Sequence, residues 1–207
     1  MKAAVFHAPN QPLTIEEVAV EKPKSREVLL RTAFAGLCHS DLHFIEGLYP
    51  IPTPCVLGHE SSAIVEAVGD GVDYVKPGDH VITCLSVFCG TCPQCLTGHP
   101  NLCENTEVKM LPGVAKRMTW KGQQMNQAFN LSSFGEQMLV HENSMVKIED
   151  DIPLDRDRRA RFDLGRVEDG AHPGHDAAAD ERGAVQRDVV LDLHHRILVD
   201  QHLFAER

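Results

Sequence analysis

From Asp157 to Arg207 the chain has no lysine, serine, threonine, asparagine, cysteine, methionine, tyrosine or tryptophan. Arginine, aspartate, histidine, alanine, glycine and valine fill that stretch instead. Ordinary divergence does not remove so many residue types at one boundary, whereas GC-rich DNA read out of frame does. Residues 156–207 are therefore expected to be a non-native or disordered tail of the kind a frameshift produces, too poor in large apolar side chains to form a core. Other absences are equally informative. No apolar run is long enough to span a bilayer, and the first residues carry no signal-peptide core. With a net charge of −10, the chain lacks the basic surface that nucleic acid or an anionic membrane demands. None of the 15 glycines falls in a G-x-G-x-x-G turn, the usual cradle for a dinucleotide pyrophosphate.

What is present is concentrated in one short stretch. Cys89, Cys92, Cys95 and Cys103 are spaced C-x2-C-x2-C-x7-C, with Gly90, Pro93 and Gly98 among them to curl the backbone around one point. Four thiolates satisfy a tetrahedral zinc ion at about 2.3 Å and leave no open position, so this zinc is read as structural. Disulfides fit poorly, because cysteines separated by two residues are awkward to bridge and nothing points to an oxidising compartment. The ferredoxin run C-x2-C-x2-C-x3-C-P has a shorter last gap than this one. Reduced thiols and a thiolate knot place the chain in the cytoplasm. Cys55 and Cys84 have no ligand-like partners in sequence and read as packing residues.

Residues 1–155 alternate short strands with glycine and proline turns, the pattern of a mainly β barrel or sandwich. Strands are expected over 1–7, 13–20, 27–35, 62–68, 80–85, 137–140 and 145–148, with a short helix over 40–46. Residues 104–134 read as a long polar loop, helical in part.

Two further segments, Gly36-Leu37-Cys38-His39-Ser40-Asp41-Leu42-His43 and Gly58-His59-Glu60, are weak signals singly. Together with Gly69, Val72, Lys76-Pro77-Gly78-Asp79-His80-Val81 and the cysteine lobe, they resemble the zinc-dependent alcohol dehydrogenases of the medium-chain dehydrogenase/reductase superfamily. The resemblance covers residues 1 to about 155. Ala63 stands where that family's signature usually has glycine. The stretch ending in Leu131-Ser132-Ser133-Phe134-Gly135-Glu136 looks like the longer-loop, formaldehyde-dehydrogenase-like branch.

The resemblance implies a GroES-like, partly open β-barrel carrying a small structural-zinc lobe, without the Rossmann domain of the intact family. It implies that Cys38 and His59 are ligands of a catalytic zinc, with Glu60 behind the metal as a transient ligand. Asp41 is implied to orient His59. Ser40 is implied to take the alcohol proton and His43 to carry it outward, a task suited to an imidazole. His39 matches a position that contacts the cofactor pyrophosphate. The implied reaction oxidises a small alcohol with hydride transfer to NAD.

The family's third catalytic ligand is a cysteine soon after Arg156, yet no cysteine follows Cys103. The second zinc site is therefore expected to be weak or empty. Two function classes follow: an alcohol dehydrogenase whose own chain is incomplete and inactive alone, or a non-catalytic zinc-binding β-barrel module. A zinc-independent quinone reductase relative is disfavoured by the presence of both Cys38 and His59.

Overall fold

The computed structural model describes residues 1–109 and 115–154; the expected tail and its boundary lie outside them. The described residues build two sheets. Strands β1 (Lys2–Phe6), β2 (Thr14–Glu17), β3 (Ala19–Val20), β5 (Cys55–Val56), β8 (Met118–Trp120) and β9 (Gln123–Gln127) form one, in the order β2-β1-β5-β9-β8-β3. Strands β4 (Glu27–Gly36), β6 (Glu60–Val68), β7 (His80–Thr83), β10 (Gln137–His141) and β11 (Met145–Lys147) form the other, in the order β10-β4-β6-β7-β11. Two helices are short, α1 (His39–Ile45) and α2 (Pro93–Leu96).

The fold is mainly β, as expected, and the two sheets are joined into a nearly closed barrel by the segment entering β10. There Ala4 N–H donates to Phe134 O and Glu136 N–H to Lys2 O, while Thr32 N–H donates to Glu136 O. One stretch of backbone thus ties β1 to β4. Inside, Val28, Leu30, Ala63, Val65, Val81 and Met138 pack in a buried cluster. Each fully buried Val or Leu side chain contributes about 1.5–3 kcal/mol. Among the described residues there is no βαβ dinucleotide-binding unit, and no helix is long and apolar enough to cross a membrane.

Most expected strands form within a residue or two of their expected ends. Two expectations are corrected. The run 13–20 splits into β2 and β3, because β2 pairs with β1 whereas β3 pairs with β8. The polar loop expected over 104–134 contains the β8–β9 hairpin, which turns at Lys121 (φ 49°) and Gly122 (φ 79°), both in left-handed backbone. Such a turn matches the twist of antiparallel strands.

Two anchors hold the hairpin. Met118 and Met125 face each other fully buried. The buried Arg117 guanidinium donates from Nε to Glu21 (2.7 Å), from one terminal nitrogen to Glu27, and from the other to Lys22 O (2.8 Å). Arg117→Ala leaves those acceptors without their donor and is expected to lower stability by ~1–3 kcal/mol, read from the urea midpoint at unchanged m-value.

Candidate metal centres

The first centre is local. Cys89, Cys92, Cys95 and Cys103 bring their four Sγ atoms within 4.8 Å of one another. Pro93 at the start of α2 and the short helical turn Pro100–Leu102 make the backbone fold back on itself between ligands. Main-chain donors point at the sulfurs: Cys92 N–H to Cys89 Sγ at 3.2 Å, Thr91 N–H to the same sulfur at 3.4 Å, and Cys89 N–H to Cys103 Sγ at 3.3 Å. The Thr91 N–H, with the Thr91 hydroxyl, lowers the Cys89 thiol to about 6. Burial and the neighbouring Cys92 push Cys95 up to about 11. Four sulfurs this close cannot all be thiolates without a cation between them. The donor set, its mutual distances and its N–H···S bonds fit tetrahedral zinc.

The second centre is assembled from distant parts. Cys38 caps the N-terminus of α1, and Asp41 locks that start: Cys38 N–H donates to Asp41 Oδ2 at 3.2 Å, and Asp41 N–H to Cys38 O at 3.0 Å. His59 and Glu60 sit where the chain enters β6. Cys38, His59 and Glu60 offer ligand atoms within 4.8 Å of one another. Asp41 is buried and receives His59 Nδ1 at 3.3 Å together with Gly58 N–H at 3.1 Å, both on Oδ1. The other imidazole nitrogen, Nε2, therefore faces Ser40 Oγ (3.4 Å) and Glu60 (4.0 Å). Ser40 Oγ also lies 3.0 Å from Cys38 Sγ. A neutral imidazole held by a carboxylate at one nitrogen and aimed by the other at a thiol and a carboxylate fits a divalent metal.

The remaining expected residues lie on or beside α1. His43 follows Ser40 by three positions, so the two share a helix face. Its ring meets those of His39 (centroids 4.6 Å apart) and Tyr49 (4.9 Å). His39 is exposed. Cys55 is fully buried in β5, and burial, then the Asp41 charge, pushes its thiol up to about 12, as suits a packing residue. Phe129, which sequence reasoning did not single out, places its ring 4.8 Å from that of His59.

Without metal, burial pulls the His59 imidazole down, but the Asp41 hydrogen bond and charge, with Cys38, outweigh it and raise it from 6.5 to about 9. A raised folded-state value stabilises the metal-free fold below about pH 6.5, and that contribution is lost as pH rises through about 9. Metal must displace the same proton. Affinity at this centre is expected to rise between pH 6.5 and 9 by roughly tenfold per unit for the imidazole proton alone. Calorimetry in buffers of different ionisation enthalpy counts the proton released.

A mainly β barrel with a four-cysteine lobe and a Cys–His–Glu cluster at the start of a strand is a domain with two candidate metal centres. Comparison with known proteins gives its lineage. Residues 24–150 match the alcohol dehydrogenase GroES-like domain, and the chain belongs to that family. It is 42% identical over 161 residues to the class-3 alcohol dehydrogenase of Pisum sativum, covering 75% of this chain and 43% of the relative. It is 43% identical over 152 residues to an S-(hydroxymethyl)glutathione dehydrogenase of Haemophilus influenzae, covering 71% and 40%. Among solved structures, benzyl alcohol dehydrogenase of Acinetobacter calcoaceticus matches with a TM-score of 0.64 at 33% identity, over 74% of this chain and 42% of that one. An alcohol dehydrogenase zinc-binding domain protein of Burkholderia ambifaria matches at 0.67 and 35%, over 74% and 43%. The chain thus spans about two-fifths of the length of these relatives.

Proposed function

We propose that residues 1–155 are the zinc-binding, catalytic half of an alcohol dehydrogenase that oxidises a small-molecule alcohol to an aldehyde or ketone, with hydride passing to NAD. The observation that carries this reading is the Cys38–His59–Glu60 cluster with Asp41 behind the imidazole. Zinc held there supplies Lewis acidity toward an alcohol oxygen. The chain's own residues do the rest of the work at this end. Cys38 and His59 are the ligands, and Glu60 is the exchangeable third. Asp41 keeps the His59 proton on Nδ1 and the lone pair of Nε2 toward the cluster. Ser40 Oγ, beside both ligands, accepts the alcohol proton, and His43 on the same helix face passes it outward. His39, exposed at the start of α1, would contact the cofactor pyrophosphate. The four-cysteine lobe holds the second, structural zinc. Seven unpaired cysteines suit the reducing cytoplasm.

Zinc binding tests the reading first. Equilibrium dialysis of the full chain is expected to show one tightly held zinc at the lobe and a second, weaker site. Cys38→Ala and His59→Ala are expected to abolish the weaker site and spare the lobe; a second site indifferent to both substitutions refutes the assignment. Turnover tests the half-enzyme part. No NADH formation is expected with primary alcohols or S-hydroxymethylglutathione, because the sequence has no G-x-G-x-x-G turn to hold the nicotinamide against the substrate. Turnover abolished by Cys38→Ala would show instead that the chain is a complete dehydrogenase.

A further inference from the structure

The segment opposite the second centre is held in an unusual backbone. Phe129 (φ 51°, ψ 24°), Asn130 (φ 61°) and Ser132 (φ 69°) all lie in the left-handed region. Non-glycine residues there cost about 1–2 kcal/mol each, and a bulky ring at positive φ is rare. The surrounding bonds show what enforces this conformation. Ser132 Oγ donates to Val56 O, Ser133 N–H to Gly58 O and Phe134 N–H to Leu57 O, each at 3.1 Å. The strained turn is thus fastened to the three residues that precede His59.

The strain presents the Phe129 ring to the imidazole. The two centroids are 4.8 Å apart with a tilt of 57°. Behind Phe129 stands Phe44, 5.6 Å away, on the helix that also carries Ser40 and Asp41. Phe129 is only half-buried, so filling the core does not account for its placement. The imidazole is therefore in tilted contact with an aromatic ring, while its edge nitrogens are claimed by Asp41 and by the ligand cluster.

We propose that Phe129 is a positioning residue for the second metal centre: its ring, set by the left-handed turn and braced by Phe44, fixes the plane of His59 so that Nε2 converges with Cys38 and Glu60. The inference rests on the reading of that cluster as a metal centre. The contacts of Nδ1 with Asp41 and of Nε2 with Ser40 act at the ring's edge and leave the imidazole free to rock about the line through its two nitrogens. A ring held against it at a fixed tilt removes that freedom, as outer partners of ligating histidines do.

The test uses the full chain with its lobe filled by zinc. Cobalt(II) is titrated into the remaining site and followed by its visible absorption, with Cys38→Ala defining the signal that belongs to this centre. Phe129→Ala is expected to weaken cobalt binding by about tenfold or more, and Phe129→Tyr, which keeps the ring, to return it to within about twofold of wild type. Phe129→Leu keeps apolar bulk without the rigid ring and is expected to fall with Phe129→Ala. A cooperative urea transition with the parent's m-value reports that the barrel of each variant is folded; if Phe129→Ala does not fold, Phe129→Leu carries the same expectation. Wild-type affinity in Phe129→Ala, or full rescue by Phe129→Leu, overturns the positioning role. Absence of any Cys38-dependent signal in the wild type overturns the metal-centre reading, and this inference with it.

Discussion

Cys92→Ser is expected to empty the four-cysteine lobe and unfold it. Cys92 Sγ lies 3.4 Å from Cys95 Sγ and 3.9 Å from Cys103 Sγ, so it faces two of the other three ligands. The lobe has little else to hold it: Leu96 and Leu102 point into solvent, and α2 has no buried residue. Its order comes from the metal, and metal-binding energy is then folding energy. Zinc affinity should fall by at least ~100-fold, beyond the ~10–100-fold that loss of an outer hydrogen-bond partner brings. Metal analysis after dialysis reads the loss directly, and limited proteolysis should cut within 89–103 in the variant but not in the parent. Full zinc retention would falsify the four-thiolate assignment.

The second large effect is expected at Gly58. Its φ is +90°, and a Cβ there meets Ser133 Oγ at 2.5 Å and Phe134 N at 2.8 Å. Neither neighbour can withdraw easily, because the Ser133 and Phe134 N–H groups are the ones bonded to Gly58 O and Leu57 O. Gly58→Ala therefore combines left-handed backbone strain with a clash against backbone, together about 3 kcal/mol or more. Gly71 supplies the control. Its φ is +79°, but an added Cβ meets nothing closer than Ser25 Oγ at 4.0 Å. Gly71→Ala should cost only the backbone part, about 1–2 kcal/mol. Equal urea midpoints for the two variants would show that the packing of Ser133 and Phe134 against Gly58 is softer than the geometry indicates. Because Gly58 N–H also donates to Asp41, the variant should lose cobalt binding at the His59 centre as well as stability.

The two metal centres were unequally legible in the sequence. The lobe places all its ligands within fifteen residues, so ligand type and spacing alone identify it. Cys38 and His59 are twenty-one positions apart, and each has a bland explanation as a packing or surface residue. They became a site only through the ordered set of motifs around them; the structure then supplied the distances and the Asp41 bridge. β4 was readable because the buried Val28, Leu30 and Thr32 alternate with the less buried Leu29, Arg31 and Ala33. The β8–β9 hairpin was not readable. Its turn is Lys-Gly rather than a strong Asn-Gly or Asp-Gly signal, and β9 is rich in glutamine, so a polar loop was the natural expectation. Phe129 was missed for a related reason. Nothing in Ala128-Phe129-Asn130-Leu131 announces left-handed backbone, which is imposed by contacts with residues 56–58 that lie some seventy positions earlier. Asn130 is the one residue in that run with an intrinsic tolerance for such angles.

The fastening of residues 132–134 onto 56–58 also sets the order in which the molecule comes together. The lobe closes a loop of about fifteen residues, whereas joining 57 to 134 closes one roughly five times longer, at about 1.4 kcal/mol more in chain entropy before any contact is gained. The pairing of β5 with β9 is parallel and equally remote in sequence. Refolding from denaturant should therefore acquire its first zinc early, on a chain whose barrel is still open. The His59 centre can exist only after the slow long-range closure, so capture of a second metal ion reports the last step of folding rather than the first.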